Sequence, residues 1–318
     1  MSILNILNSI PSPEISFIEL GPFRLHFYAL FILTGIILAL LVAEARLRSR
    51  GSESGIALDI SLWAIPFGIL GGRFFHVVTH PNDYFFAGAD LLAVFRIWEG
   101  GLAIYGALIF GSLGAYIGAR QAGLRFLSYL DAVAPGVLLA QAVGRWGNYF
   151  NNELFGLPTD LPWGLEISSI NPAYPAGLPE GVLFHPTFLY ESLWSLAGVA
   201  LLLALDKRFN LRWGKMLGLY LVYYSIGRIW VEAIRIDPSE IILGLRINIW
   251  SAIAGIMVGL AILIIQSRRH TGLEPSVYRP GREPKAPLGA TDGDESAESE
   301  SVAKDTDTGL TSRVESEK

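Results

Sequence analysis

Arg73, Arg145 and Arg228 fall inside stretches otherwise made of Leu, Ile, Val, Gly and aromatic residues. An isolated charge in hydrocarbon costs about 2.5–3.5 kcal/mol even on the lenient insertion scale, so such residues are normally paired or functional. Arginine's chemistry is narrow. Its planar fork stays protonated and meets phosphate or carboxylate oxygens two at a time. The neighbouring polar residues keep helical spacing. Gln141, Arg145 and Asn148 follow i, i+4, i+7, and Tyr224, Arg228, Glu232 and Arg235 follow i, i+4, i+8, i+11. Tyr28, His76, Tyr105, His185, Tyr190 and Glu191 complete the set. Together they suit a site that holds an anionic phosphate ester and stabilises charge on it.

The elements that must position these groups are membrane helices. Of 318 residues 52% are hydrophobic and only 17% charged, a composition that points away from a soluble domain. Apolar runs at 25–45, 59–79, 101–119, 127–145, 187–205, 216–236 and 247–266 predict about seven transmembrane helices in an all-α integral membrane protein. Gly68, Gly71 and Gly72, with Gly106, Gly111, Gly114 and Gly118, and Gly136 and Gly144, predict close helix contacts. With the N-terminus outside, the inner helix ends carry Arg46, Arg48, Arg50, Arg120, Arg125, Lys207, Arg208, Arg212, Lys215, Arg268 and Arg269. The outer segments carry only Arg24, Arg96, Arg145 and Arg246. That asymmetry places the C-terminus in the cytoplasm. It also brings the polar residues of six spans to one depth, near the outer face. A transporter would need polar groups along a whole path; a lipid-binding protein without chemistry would not.

The formal charge of −5 belongs to the tail, since residues 292–318 hold nine Asp/Glu and three Lys/Arg. With too few apolar residues to bury, that stretch predicts disorder. The expected organisation is an extracytoplasmic segment 1–24, a membrane domain 25–268 with a small outer head at 146–186, and a disordered cytoplasmic tail 269–318. No removable signal peptide is expected in residues 1–24. The absence of cysteine excludes disulfides, thiolate metal sites and a cysteine nucleophile.

The run Gly144-Arg145-Trp146-Gly147-Asn148-Tyr149-Phe150-Asn151-Asn152-Glu153-Leu154-Phe155-Gly156 closely resembles the signature G-R-x-G-N-F-x-N-x-E-x-x-G of prolipoprotein diacylglyceryl transferases. His26-Phe27-Tyr28, Gly71-Gly72-Arg73, Trp98-Glu99-Gly100-Gly101-Leu102, His185-Pro186-Thr187-Phe188-Leu189-Tyr190-Glu191 and Gly227-Arg228-Ile229-Trp230-Val231-Glu232 are similar to further blocks of that family, in the same order. The resemblance covers about residues 20–268. It implies transfer of the diacylglyceryl group of phosphatidylglycerol to the lipobox cysteine of a bacterial prolipoprotein, with a thioether formed and glycerol phosphate released. It also implies a multi-pass protein of the bacterial plasma membrane. One block departs: Tyr105 stands where the family often has a histidine proposed as catalytic. A phenol with an ordinary pKa near 10 is a poor base at neutral pH. Either Tyr105 positions a group or the thiol proton goes elsewhere.

For that chemistry, Arg145 and Arg228 are the expected phosphate clamp, with Tyr105, Glu153 and Glu232 the further catalytic candidates. Glu232 suits orienting Arg228, its i, i+4 partner, while Glu153 is open between orienting and base. Tyr28, Arg73, Asn148, Asn151, Gly156, His185 and Tyr190, with Arg145, are the expected substrate-binding residues. Plainer roles compete: Asn148, Asn151 and Asn152 could cap a helix, Tyr28 and Tyr105 could be interfacial belt residues, and Arg228 with Glu232 could simply lock the bundle. No metal, cofactor or nucleic acid is expected; phosphatidylglycerol, prolipoprotein signal peptides and the bilayer are the expected partners.

Overall fold

The computed structural model describes residues 9–21 and 23–284, and those up to Pro280 belong to one compact unit. Among the described residues the chain forms seven α-helices: α1 (Phe27–Arg48), α2 (Ile56–Thr79), α3 (Ile104–Gln121), α4 (Phe126–Phe150), α5 (Thr187–Phe209), α6 (Lys215–Ile234) and α7 (Ile247–Arg269). Short antiparallel pairs sit between them: β1 (Phe17–Leu20) with β2 (Phe23–His26), β3 (Leu165–Glu166) with β4 (Leu183–Phe184), and β5 (Ile241–Ile242) with β6 (Leu245–Arg246). Helices α1, α2, α4, α5 and α7 are long and apolar enough to cross a membrane. α3 and α6 are more polar, because α6 carries tyrosines, Arg228 and Glu232, and α3 ends in Arg120 and Gln121. The protein is thus an all-α multi-pass membrane protein. Leu33, Leu41, Leu62, Leu70, Leu108 and Met257 face outward, as lipid contact demands.

The helices lie near the expected runs, with one informative difference. α4 continues past residue 145 to Phe150 and ends where Asn152 takes a positive φ of 51°. Asparagine tolerates that left-handed conformation. The segment beyond α4 therefore starts at 151 rather than 146. Close approach is built from glycine: a Cβ on Gly71 of α2 would lie 2.7 Å from the Gly106 carbonyl of α3, and one on Gly106 would lie 2.3 Å from the Gly71 carbonyl.

At the end of the bundle shared by the C-terminus of α1 and the N-terminus of α6, one carboxylate organises the turn. Asp131 of α4, fully buried, accepts hydrogen bonds from Gly214 N (2.7 Å) and Leu217 N (3.0 Å), capping α6 from a neighbouring helix. Beside it Asp206 gathers Arg46 (3.0 Å), Arg212 (2.9 Å) and Arg50 (3.6 Å). Burial lowers the Arg50 pKa to about 10, the charges of Arg46 and Arg212 adding to the fall, so it stays charged at neutral pH.

The chain after α7 departs from the expectation of a free tail from 269 onward. It straps back across this end: Arg125 N donates to Val277 O (2.8 Å), Arg279 N to Gly123 O (2.8 Å) and Glu53 N to the Tyr278 hydroxyl (3.0 Å). Val277 and Tyr278 are buried with Leu47, Ile60 and Leu124. Pro275 and Pro280 do not prevent this, because an extended strap needs no helical backbone, only carbonyls and N–H groups facing it. The acidic stretch at 292–318 lies outside the described residues.

Replacing Asp131 by Leu orphans two buried N–H groups and is expected to cost about 2–3 kcal/mol. A fall in the thermal unfolding midpoint of the detergent-solubilised protein, partly restored in Asp131→Asn, is the outcome to look for; an unchanged midpoint would remove the cap.

Candidate functional site

The opposite end of the bundle holds a line of alternating charges. Arg145, in the last two turns of α4, reaches Glu191 of α5 with its Nη2 2.6 Å from Oε2. Arg228 of α6 approaches the same Oε2 at 3.7 Å and pairs with Glu232 Oε2 at 2.8 Å, one turn along its own helix. Glu232 has no solvent exposure and turns its other oxygen to Arg246 Nε (2.7 Å) and Asn248 Nδ2 (2.9 Å), which enter from the start of α7. Arg246 Nη2 is 3.3 Å from Asp237 Oδ2, and Asp237 Oδ1 accepts from Arg235 Nε (2.6 Å). Four guanidiniums meet three carboxylates, and each carboxylate is shared by two arginines. The line therefore carries one surplus positive charge. Arg145 stands at its end, where among the described residues Glu191 and a long 3.4 Å contact to Asn148 Oδ1 occupy its donors.

The end of α4 is tied into this line by amides. Asn148, buried on α4, donates to Glu153 Oε1 (2.8 Å), and Asn151 reaches the same oxygen (3.3 Å). Arg145, Asn148, Asn151 and Glu153 thus form one cluster. Tyr28, at the start of α1, lays its ring on the α4 backbone at Gly147, where a Cβ would meet Tyr28 Cδ2 at 2.8 Å.

The remaining sequence-predicted residues take other places. Gly156 is a wedge: its Cβ would come within 2.8 Å of His185 Cβ and 3.0 Å of the Ile234 carbonyl. Its backbone pairs with both His185 and Arg235, and Leu157 N donates to Ile234 O (2.8 Å). His185 and Tyr190 pair with each other (Nδ1 to hydroxyl, 3.1 Å), and Trp163 Nε1 donates to the same hydroxyl (3.0 Å). Tyr190 lies in the first turn of α5, while Trp163 and His185 belong to the 151–186 segment, whose residues 157–159, β4 and β3 lie side by side with Ile10 over Phe155, Leu165, Ile167, Phe184 and Phe188. Arg73 gives its donors to the carbonyls of Ala93 (2.5 Å), Val94 (2.7 Å), Gly100 (2.6 Å) and Gly101 (3.2 Å), and lies over the Tyr84 ring. It holds the α2–α3 connection, whose Phe86, Leu92, Phe95 and Trp98 are exposed. Tyr105 of α3 shares a hydrogen bond with Ser251 of α7 (2.7 Å), one turn along from Asn248.

The family described as prolipoprotein diacylglyceryl transferase matches residues 15–265, which include every charge in this line. The chain belongs to that family. Its relatives include the phosphatidylglycerol–prolipoprotein diacylglyceryl transferases of Leifsonia xyli (52% identical, covering 93% of this chain and 92% of the relative) and Paenarthrobacter aurescens (51%, covering 81% and 84%). Transferase 1 of Streptomyces coelicolor is 45% identical over 87% of this chain and 79% of its own length. As a family member the chain is a transferase.

Four participants are not given their roles in the site by the sequence alone: Glu191, Arg246, Asp237 and Asn248. Glu191 was visible as a polar residue at the right depth but not as the bridge between Arg145 and Arg228. Arg246 counted only toward orientation, and Asp237 and Asn248 not at all. A signal existed: Arg235 and Asp237 end one apolar run and Arg246 opens the next, so three charges flank a connection at the same membrane face.

Glu191→Gln removes the charge that draws the two arginines together while keeping the side chain's size. Its kcat/KM is expected to fall about 10- to 100-fold, or roughly 1.4–2.8 kcal/mol in the transition state. Wild-type turnover in that variant would show that the bridge is dispensable.

Proposed function

We propose that this line of charges binds the phosphate of phosphatidylglycerol and stabilises glycerol phosphate as it leaves. The reaction is the one its relatives' names state, the first step of lipoprotein maturation. The acceptor in this reading is the lipobox cysteine of a prolipoprotein. Its thiolate sulfur attacks the sn-3 carbon of the glycerol that bears the two acyl chains. The carbon–oxygen bond to phosphate breaks and its electron pair stays on the phosphate oxygen. A singly charged diester thereby becomes a monoester heading toward two charges. Groups that hold the second charge better than the first lower the barrier.

The observation that carries this reading is the meeting of Arg145 and Arg228 on one Glu191 oxygen, within a line whose surplus is one positive charge. Glu191 keeps the two forks apart from mutual repulsion until the phosphate takes over part of its role. Asn148 and Asn151 orient Glu153 beside Arg145, so Glu153 is placed to order the headgroup or to take the thiol proton. Tyr28 closes the cluster from α1. Tyr105, bonded to a hydroxyl on α7, suits a positioning role better than a base's. Arg73, Gly156, His185 and Tyr190 serve substrate binding indirectly, by holding the loops that frame the cluster.

The same reading gives seven membrane crossings, with the N-terminus and the 151–186 head outside and the C-terminus in the cytoplasm. The charge line then faces the outer leaflet, and the lipid enters sideways between helices without its acyl chains leaving the bilayer. The head receives the prolipoprotein; a groove of about 580 Å³ beside β4, lined by Asp160, Leu161, Glu180 and Leu183 among others, offers a place for extended peptide.

Incubating the purified protein with labelled phosphatidylglycerol and a lipobox peptide should yield the thioether. Arg145→Lys and Arg228→Lys are each expected to lose roughly 100-fold or more, because an ammonium cannot make the paired bonds of the fork. Full activity in either removes that arginine from the clamp. Tyr105→Phe is expected to lower turnover by about the value of one hydrogen bond, near 1 kcal/mol or some fivefold; unchanged turnover makes Tyr105 a packing residue only.

A further inference from the structure

Arg246 is bound more completely than any other member of the line. Its Nε faces Glu232 Oε1 at 2.7 Å, its Nη1 donates to the Arg235 carbonyl (2.8 Å), and its Nη2 donates to the Asp237 carbonyl (2.8 Å) beside the Asp237 carboxylate (3.3 Å). Its backbone is fixed as well, since β6 pairs Arg246 with Ile241 and the next residue donates from Ile247 N to Glu240 O (2.9 Å). Arg246 is therefore a rigid post built from the α6–α7 connection, and among the described residues the one side chain of the helical bundle that it pairs with is Glu232. Asn248, two residues on, holds the same Glu232 oxygen.

Glu232 is fully buried, so neither water nor flexible exposure can set its direction. One oxygen is held by Arg246 and Asn248, and the other must then face Arg228, at 2.8 Å. We propose that Arg246 is a positioning residue: through Glu232 it fixes where the Arg228 fork stands toward the leaving phosphate. This rests on the reading of Arg228 as half of the clamp. Glu232 is held between two guanidiniums, and without the second only the neutral Asn248 amide restrains its carboxylate, which then follows Arg228 more readily than it anchors it. An arginine anchored in advance costs no reorganisation as charge develops. The loss on removing Arg246 should therefore appear mainly in kcat, because the second phosphate charge exists only on the way to products.

The test is the full-length protein carrying Arg246→Met or Arg246→Lys, assayed with phosphatidylglycerol and a lipobox peptide alongside wild type and Arg228→Lys. For Arg246→Met, kcat is expected to fall about tenfold or more with KM for phosphatidylglycerol within about threefold of wild type. Arg246→Lys should lie between, because an ammonium can keep the ion pair to Glu232 but not the carbonyl contacts as well. A KM that rises as much as kcat falls would make Arg246 a substrate contact, and an unchanged kcat, or Lys no better than Met, would also overturn the proposal. Should Arg246→Met fail to fold in a thermal melt, Arg246→Lys alone decides: a lowered kcat at unchanged KM supports it, and a wild-type kcat or a raised KM refutes it. The Arg228→Lys result separates the two levels. A crippled Arg228→Lys beside a normal Arg246→Met sinks only this inference, whereas a fully active Arg228→Lys sinks the clamp itself.

Discussion

An arginine in a membrane protein cannot escape its charge by losing a proton, so each one must be matched where it stands. At the site end of this bundle the matching is done in series: Arg145, Glu191, Arg228, Glu232, Arg246, Asp237 and Arg235 alternate across α4, α5, α6 and the approach to α7. Breaking a buried pair by removing one partner costs about 3–5 kcal/mol, because the other charge is left uncompensated. The ends of four helices are thereby forced to one level. Their register is set as much by this requirement as by the packing of apolar faces.

The arginines of this protein differ in how fully their donors are occupied. Arg73 is spent on four loop carbonyls and Arg246 on two carboxylates and two carbonyls. Arg145 holds one short ion pair and one long amide contact, which leaves donors for a ligand. The far end of the bundle shows the other use of charge. There Asp206 ties Arg46, Arg50 and Arg212 together and Asp131 caps α6, contacts that close the bundle rather than await a substrate.

The loops around the site are held as firmly as the helices. Residues 156–157 bond to His185 on one side and to Ile234 and Arg235 on the other, so the head sheet and the end of α6 form one continuous backbone network. Gly156 lies where those strands approach most closely, and Asn152 makes the left-handed turn that sends the chain there. On the outside of that sheet, the N-terminal segment stitches itself to the end of α4: Tyr149 donates to Pro11 O and Asn152 to Pro13 O. The polar residues at this end of the bundle thus divide into those that gather around Arg145 and those that build the frame around it.

The membrane class, the approximate helix limits and the common depth of Arg145, Glu191, Arg228 and Glu232 were legible in the sequence, because hydropathy and the 3.6-residue repeat are local properties of the chain. Even the pairing of Arg228 with Glu232 followed from their spacing on one helix. The sharing of Glu191, the grip of Arg246 on Glu232, the capture of Arg73 by the α2–α3 connection and the strap at Val277–Tyr278 depended on the tertiary structure. Each of these joins residues far apart in the chain. Each is decided by how helices rotate about their axes and by the path a loop takes between them, and periodicity along a single helix carries neither.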